Sequence, residues 1–283
     1  EIMPSLVGSE MCIRDRPRAS APARSSSTMP PSMRRSCTVT VPCVICRPWE
    51  MRDMMMQKIK IGAVTIGQSP RTDITEDAGR FFGDRVELLE FGALDRYTLE
   101  EAKQLQPIPG DYVLTSRLRD GTEVHFSRGQ VVEEMQRGIH LLEERGVKLI
   151  LVFCTGALHG LHSNVPMLEP NQLLRAIAPL LTQKPRILTL TPSESQVQQS
   201  ERRWKEVLPD FEFTTFPACP YQDGPFPEDL ASRINAVEDA DLVIMDCLGF
   251  SAAMRDQLQA RIDKNILLPR SLLFRVACEL LGI

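Results

Sequence analysis

The run VKLILVF at residues 147–153 is apolar at almost every position. A strand with one wet face alternates, whereas a run like this is covered on both faces and belongs to a parallel sheet between helices. The rest of the chain supplies the partners. Apolar strands are predicted over 58–67, 86–94, 211–218 and 241–250, and 186–196 reads as a strand that runs into a loop. Helices are predicted over 98–105, 129–146, 171–181, 227–240, 251–262 and 271–281, with another after that loop running through Trp204. In 129–146 the apolar positions Val132, Met135, Ile139 and Leu142 fall at helical spacing, and Gly146 ends the helix. Thr98 and Glu101 have capping-box spacing. Residues 112–128 alternate around Asp120-Gly121 and read as a hairpin, and QSPRTD at 68–73 reads as a loop. Strand–helix alternation of this kind predicts a doubly wound α/β fold, in which ligands sit at the carboxyl ends of strands.

Two strands end in the same way. LVF runs into Cys154-Thr155-Gly156, and VIMD runs into Cys247-Leu248-Gly249. If these strands belong to two similar halves that face each other, the cysteines meet across a cleft. Each turn can present backbone N–H groups to an anion. A helix directly after Cys247 would lower its thiol pKa through the positive end of the helix dipole. Asp246 works the other way, because a neighbouring negative charge raises a thiol pKa. Strand alternation would turn Asp246 to the opposite face.

Residues 1–53 stand apart. They hold eight Arg and no Lys, and they show no apolar periodicity. EIMPSLVGSEMCIRDR is expected to be translated adaptor sequence, with folded protein starting at Met54, Met55 or Met56. A disordered natural extension is the alternative. A secretory signal would need an apolar h-region, and a transit peptide would lack Glu1, Glu10, Asp15, Glu50 and Asp53. The Cys43/Cys46 pair has no second pair to complete a zinc or redox motif. Of 33 Lys+Arg and 37 Asp+Glu, eight and five fall in this segment, so the remainder carries a net charge of 25 − 32 = −7. An acidic surface argues against nucleic acid and anionic membrane as partners. No apolar run approaches a membrane span of about 18 residues. The cysteines left (Cys154, Cys219, Cys247 and Cys278) are too sparse for a secreted disulfide scaffold, which favours a cytoplasmic protein.

TIGQSPRTDI (65–74), the Cys154-Thr155-Gly156 turn and especially MDCLGF (245–250) resemble the AroM family, from about residue 57 to the end. That family is similar, more remotely, to the aspartate/glutamate racemase superfamily. The resemblance implies two similar doubly wound parallel-sheet domains in pseudo-twofold relation around a cleft. The first would be 57–168 plus 266–283, the second 169–265. It implies one cysteine from each domain as paired acid and base, with no cofactor and no metal. By position Cys154 matches the first cysteine, which there sits in a Cys-Asn-Thr turn, and Cys247 the second, which there precedes Thr. Thr155-Gly156 and Leu248-Gly249 depart from those patterns. Thr65, Gln68, Ser69 and Arg71 lie where those enzymes bind substrate after their first strand. Thr155, Gly156, Leu248 and Gly249 complete the implied binding set.

Two function classes follow. One is a cofactor-independent racemase, isomerase or related lyase that moves a proton alpha to the carboxylate of a small acid, with Arg71 as a bidentate clamp and the two turns as oxyanion donors. The other is a non-catalytic binder of a small anionic metabolite, which the family's name links to aromatic amino-acid metabolism. A homodimer is the default assembly. Each feature also has a plainer reading. A lone buried cysteine is most often a small hydrophobe, and Cys219 and Cys278 fit that description best. Arg71 could cap a helix or face solvent. Ser193, Glu194 and Ser195 line the cleft or cap the next helix. Cys154, His159 and His162 lack the further ligand that zinc requires, and His125 and His140 read as surface or satisfied core groups. No P-loop, GxGxxG or Ser-His-Asp order is present.

Overall fold

The computed structural model describes residues 58–222 and 224–283. Residues 1–53 and the Cys43/Cys46 pair lie outside the described residues. The first half opens with β1 (Ile59–Thr65), α1 (Thr72–Phe82), β2 (Val86–Gly92) and α2 (Leu99–Lys103). It continues through β3 (Val113–Arg117), β4 (Glu123–Ser127), α3 (Val132–Glu144), β5 (Ile150–Phe153) and β6 (Met167–Leu168). The second half contains α4 (Pro170–Leu181), β7 (Arg186–Thr191), α5 (Val197–Val207), β8 (Glu212–Pro217) and α6 (Leu230–Asn235). β9 (Ala240–Met245), α7 (Ala252–Gln259), β10 (Asn265–Leu267) and α8 (Pro269–Leu281) complete it.

The two sheets have the same topology. The first has strand order β2-β1-β5-β6 and the second, read from its other edge, β8-β7-β9-β10. All neighbours within each are parallel. β5 and β9 therefore occupy equivalent places, and Cys154 and Cys247 lie just beyond their carboxyl ends. The architecture is mixed α/β with two parallel sheets, as the apolar run at 147–153 requires: Ile150 to Phe153 are all buried. α3 covers one face with Met135, Ile139 and Leu142. On the other face Ile61, Ile74, Phe82, Leu151 and Phe153 meet Leu273, Phe274 and Ala277 of α8. Phe274 packs edge-on to Phe82 at 5.4 Å and Phe153 at 6.2 Å between centroids, an arrangement worth more than area burial alone. The second sheet is closed similarly, with Trp204, Leu174, Ala178, Ile187, Leu242 and Ile244 on one side.

The Thr98/Glu101 capping box and the 113–127 hairpin form as the sequence predicts. Three expectations need correction. The predicted loop 68–73 ends early, because Thr72 and Asp73 already belong to α1; that helix buries only Ile74, Asp77, Ala78 and Phe82, too short a stripe to stand out. The predicted helix 227–240 shrinks to Leu230–Asn235 and the predicted strand 241–250 to Ala240–Met245, so Asp246 to Phe250 are turn. Among the described residues no helix is long and apolar enough to cross a membrane.

Candidate functional site

The carboxyl ends of β1, β5, β7 and β9 converge on one small cavity of about 50 Å³. A cavity of roughly 150 Å³ accepts benzene, so this one suits a very small ligand or a closed state. Cys154, Thr155 and Gly156 line it from one half, and Asp246, Cys247 and Leu248 from the other. The two turns touch: Thr155 Oγ1 donates to the Asp246 carbonyl at 3.0 Å.

The Cys-x-Gly repeat has a structural cause. In each turn the glycine two residues on donates its N–H to the sulfur, Gly156 to Cys154 Sγ at 3.2 Å and Gly249 to Cys247 Sγ at 3.3 Å. A Cβ on Gly156 would come within 2.9 Å of Leu114, and one on Gly249 within 2.6 Å of the Tyr221 ring. The carbonyl after each cysteine accepts from a buried arginine: Thr155 O from Arg203 Nη1 at 2.6 Å, Leu248 O from Arg270 Nε at 2.9 Å. Arg270 also bonds Asp77 at 2.9 Å.

Two expectations change here. The glycine N–H groups point at sulfur, so they favour thiolates rather than an oxyanion. No helix follows Cys247 directly: α7 starts at Ala252, whose N–H goes to Asp77 Oδ2 at 3.1 Å, while Met254 N–H goes to Ser251. The helix end is capped within the fold and not aimed at the thiol.

The thiols differ. Burial pushes Cys154 up to about 12, against the Gly156 N–H that favours its thiolate. Burial also raises Cys247, but Tyr221 Oη at 3.4 Å, the Gly249 N–H and the Arg71 charge pull it back. Asp246 does not turn away from the cavity. Its Oδ2 accepts from Trp204 Nε1 at 2.8 Å and Ser200 Oγ at 3.4 Å, and it pairs with Arg203. Burial raises its pKa, and Arg203 opposes that shift.

The loop after β1 divides by role. Arg71 is buried and lines the cavity, but its Nε and Nη2 hold Asp73 in a bidentate pair, both at 2.8 Å. Its Nη1 reaches Thr65 Oγ1 at 3.2 Å, so Thr65 braces Arg71. Gln68 bonds the Leu94 and Tyr97 carbonyls, and Ser69 bonds Asp95; both pin the loop to the β2 end and neither lines the cavity. Gly249 faces an outer basin of about 450 Å³ that shares Arg71 with the cavity. Ser193 and Glu194 line a different hollow.

Gln196, Gln199, Ser200 and Arg203 also line the cavity, as do Tyr112 and Tyr221. The first four recur at i, i+3, i+4 and i+7, a polar stripe on one helix face that the sequence does display. The tyrosines sit in loops and carry no such signal. Among the described residues no three His, Cys, Asp or Glu side chains are placed to hold a metal ion.

No curated protein matches the chain. Solved structures do. A glutamate racemase from Francisella tularensis in complex with D-glutamate is 14% identical, with TM-score 0.51 over 80% of this chain and 81% of that one. An allantoin racemase from Klebsiella pneumoniae is 16% identical, with TM-score 0.52 over 80% and 89%. A maleate isomerase from Pseudomonas putida is 13% identical, with TM-score 0.53 over 80% and 94%. At these identities the likeness establishes the fold. The family model "AroM protein" matches residues 61–281, and the chain belongs to that family.

Proposed function

We propose that the protein is a cofactor-independent racemase or isomerase that uses Cys154 and Cys247 as a proton-transfer pair on a small carboxylic acid. The observation that carries this reading is that both thiols line one cavity, from equivalent strands, and each receives a glycine N–H. Cys247 is the more readily ionised of the two thiols, because Tyr221, Gly249 and Arg71 oppose the upward shift that burial causes. Its sulfur takes the alpha proton and leaves a carbanion conjugated with the carboxylate. The Cys154 thiol, held neutral by burial, delivers its proton to the opposite face. The pair ends exchanged, with Cys247 a thiol and Cys154 a thiolate. General acid–base transfer of this kind contributes on the order of 10²–10⁴-fold. Arg71 binds the carboxylate by exchanging Asp73 for it, since that carboxylate already occupies the fork in bidentate geometry.

The test is alpha-proton exchange in D₂O with amino acids, hydroxy acids and substituted malonates, using wild type, Cys154→Ala and Cys247→Ala. Exchange that needs both cysteines supports the reading. One observation favours a second reading: Arg71 is already satisfied and both thiols are raised by burial, as in a closed binding cavity without a base. A protein of that kind would be stabilised thermally by small acids without exchanging their protons.

A further inference from the structure

Among the described residues β3 pairs with β4 alone, so its other edge is free. That edge lies against α5, and a side chain closes the gap. The Gln199 amide takes both polar groups of the Val113 backbone, accepting from its N–H at 2.8 Å and donating to its carbonyl at 2.8 Å. Gln196 Nε2 adds a contact to the same carbonyl at 3.2 Å. The amide stands where the next strand of a sheet would. A strand would be held by a ladder, whereas Gln199 is one half-buried side chain that a rotamer change can withdraw. The rest of the hairpin is anchored, with Leu114, Val124 and Phe126 in the core of the first half.

Gln199 stands between two spaces. Inside it is the two-thiol cavity of about 50 Å³, and outside it a surface basin of about 330 Å³. Tyr112, Gln199 and Arg203 line both. The basin of about 450 Å³ shares only Arg71 with the cavity, and Arg71 is locked to Asp73.

Charge separates these routes. The basin outside Gln199 is edged by Arg128, Arg202 and Arg203 against Asp111 and Glu206. Arg203 already holds Asp246, and Asp111 already accepts from the Tyr112 and Gly129 N–H groups. Two arginines are therefore left against Glu206. Arg202 is exposed, and its Nε reaches only the Gln198 carbonyl at 3.3 Å. The basin at Arg71 has three arginines and three carboxylates, and the hollow at Cys219 has Glu123 and Glu194. A cationic mouth raises the local concentration of small anions.

We infer that small anions reach the two thiols through the basin at Arg128 and Arg202, admitted when the Gln199 amide swings off Val113. The inference rests on the proposed function only for the ligand being an anion.

The test is alkylation of the full-length protein, with the rate at each cysteine read by peptide mass spectrometry. Iodoacetamide is the neutral probe and iodoacetate the anionic one. Both need the thiolate, so their rate ratio reports the approach and not the pKa. Gln199→Ala should speed both reagents at Cys154 and Cys247 roughly 10-fold, the gain in open state when a closing contact of ordinary hydrogen-bond strength is lost. Cys278, held on α8 against the Phe81 carbonyl, should react as before, because only general loosening would expose it further. Arg202→Glu should lower the iodoacetate-to-iodoacetamide ratio at both cavity thiols by roughly 3-fold at low salt, and added salt should shrink that difference. Glu76→Lys, an equal charge change of opposite sign at the Arg71 basin, should leave the ratio alone. The Arg202 variant lies on the surface and decides the matter if Gln199→Ala does not fold. Unchanged rates at the cavity thiols in Gln199→Ala, an equal rise at Cys278, or a ratio that ignores Arg202 or follows Glu76 overturns the inference. Alkylation needs no turnover. If the gate behaves as expected while wild type exchanges no protons, the reaction is wrong and the entry route stands.

Discussion

Thr155 Oγ1 donates to the carbonyl of Asp246 at 3.0 Å, tying the residue after one cysteine to the residue before the other. The bond is buried and joins the two cysteine turns. Thr155→Val keeps the shape, removes the donor and leaves the carbonyl unpaired. The expected cost is about 1–3 kcal/mol, the penalty for an unsatisfied buried group. Urea unfolding measures it. Proton exchange should fall with it, because the relative position of the sulfurs is no longer fixed.

Tyr221 separates the two thiols in reactivity. Its hydroxyl stands 3.4 Å from Cys247 Sγ and favours the thiolate. In wild type Cys247 should alkylate faster than Cys154 at neutral pH. Tyr221→Phe should move the pH midpoint of Cys247 alkylation upward, as loss of a hydrogen bond to a charged group would. Iodoacetamide labelling read by peptide mass spectrometry checks both. An unchanged midpoint would mean the hydroxyl does not act on this sulfur.

Cys154 makes stability fall at alkaline pH. Burial pushes its thiol up to about 12, above the 9.0 of a free thiol. The neutral thiol is thus favoured in the fold, and that contribution is fully present below pH 9. As pH rises from about 9 towards 12 the unfolded chain ionises first and the contribution is lost. Cys154→Ala should lose less stability between pH 7 and pH 10 than wild type does, by urea unfolding at both. An equal loss would show that this thiol ionises as freely in the fold as in the unfolded chain.

Arg270 holds up the second turn from beneath. It is 1% exposed and bonds Leu248 O, Gly249 O and Asp77 at once. Arg270→Ala takes the buried guanidinium from a carboxylate that is 10% exposed, leaving it the Ala252 N–H and the exposed Arg80, and removes the donor from the Leu248, Gly249 and Asp73 carbonyls. The cost should be about 3–5 kcal/mol, as for one partner removed from a buried pair. Arg261→Ala, at an exposed Arg–carbonyl contact, should cost far less. Thermal and urea unfolding of the two variants give the comparison.

How much of this the sequence carries depends on the kind of signal. The α/β class follows from one apolar run, because Ile150 to Phe153 must be covered on both faces. The repeat of strand, cysteine and glycine is legible because it is local, and the matching strand orders explain it. α1 is less legible: its stripe of Ile74, Ala78 and Phe82 follows a loop rich in turn residues. The arginine partners are not legible at all. Arg203 is 43 residues from Asp246 and Arg270 is 193 from Asp77, and no local pattern links either pair. The stripe from Gln196 to Arg203 was readable in spacing, but a polar face on a helix normally means solvent. Only the fold turns that face inward.

The central claim is that two thiols work on opposite faces of one carbon. The most direct measurement follows deuterium in D₂O through the first fraction of turnover by the full-length protein. A single enantiomer of each chiral amino or hydroxy acid in the exchange panel is used, the two enantiomers are separated on a chiral column, and the deuterium in each is read by mass spectrometry. Two opposed thiols predict deuterium in the inverted product while the remaining substrate keeps its proton, and loss of turnover in both Cys154→Ala and Cys247→Ala. Equal early deuterium in both enantiomers, turnover that survives loss of either cysteine, or no exchange across the panel would contradict the account.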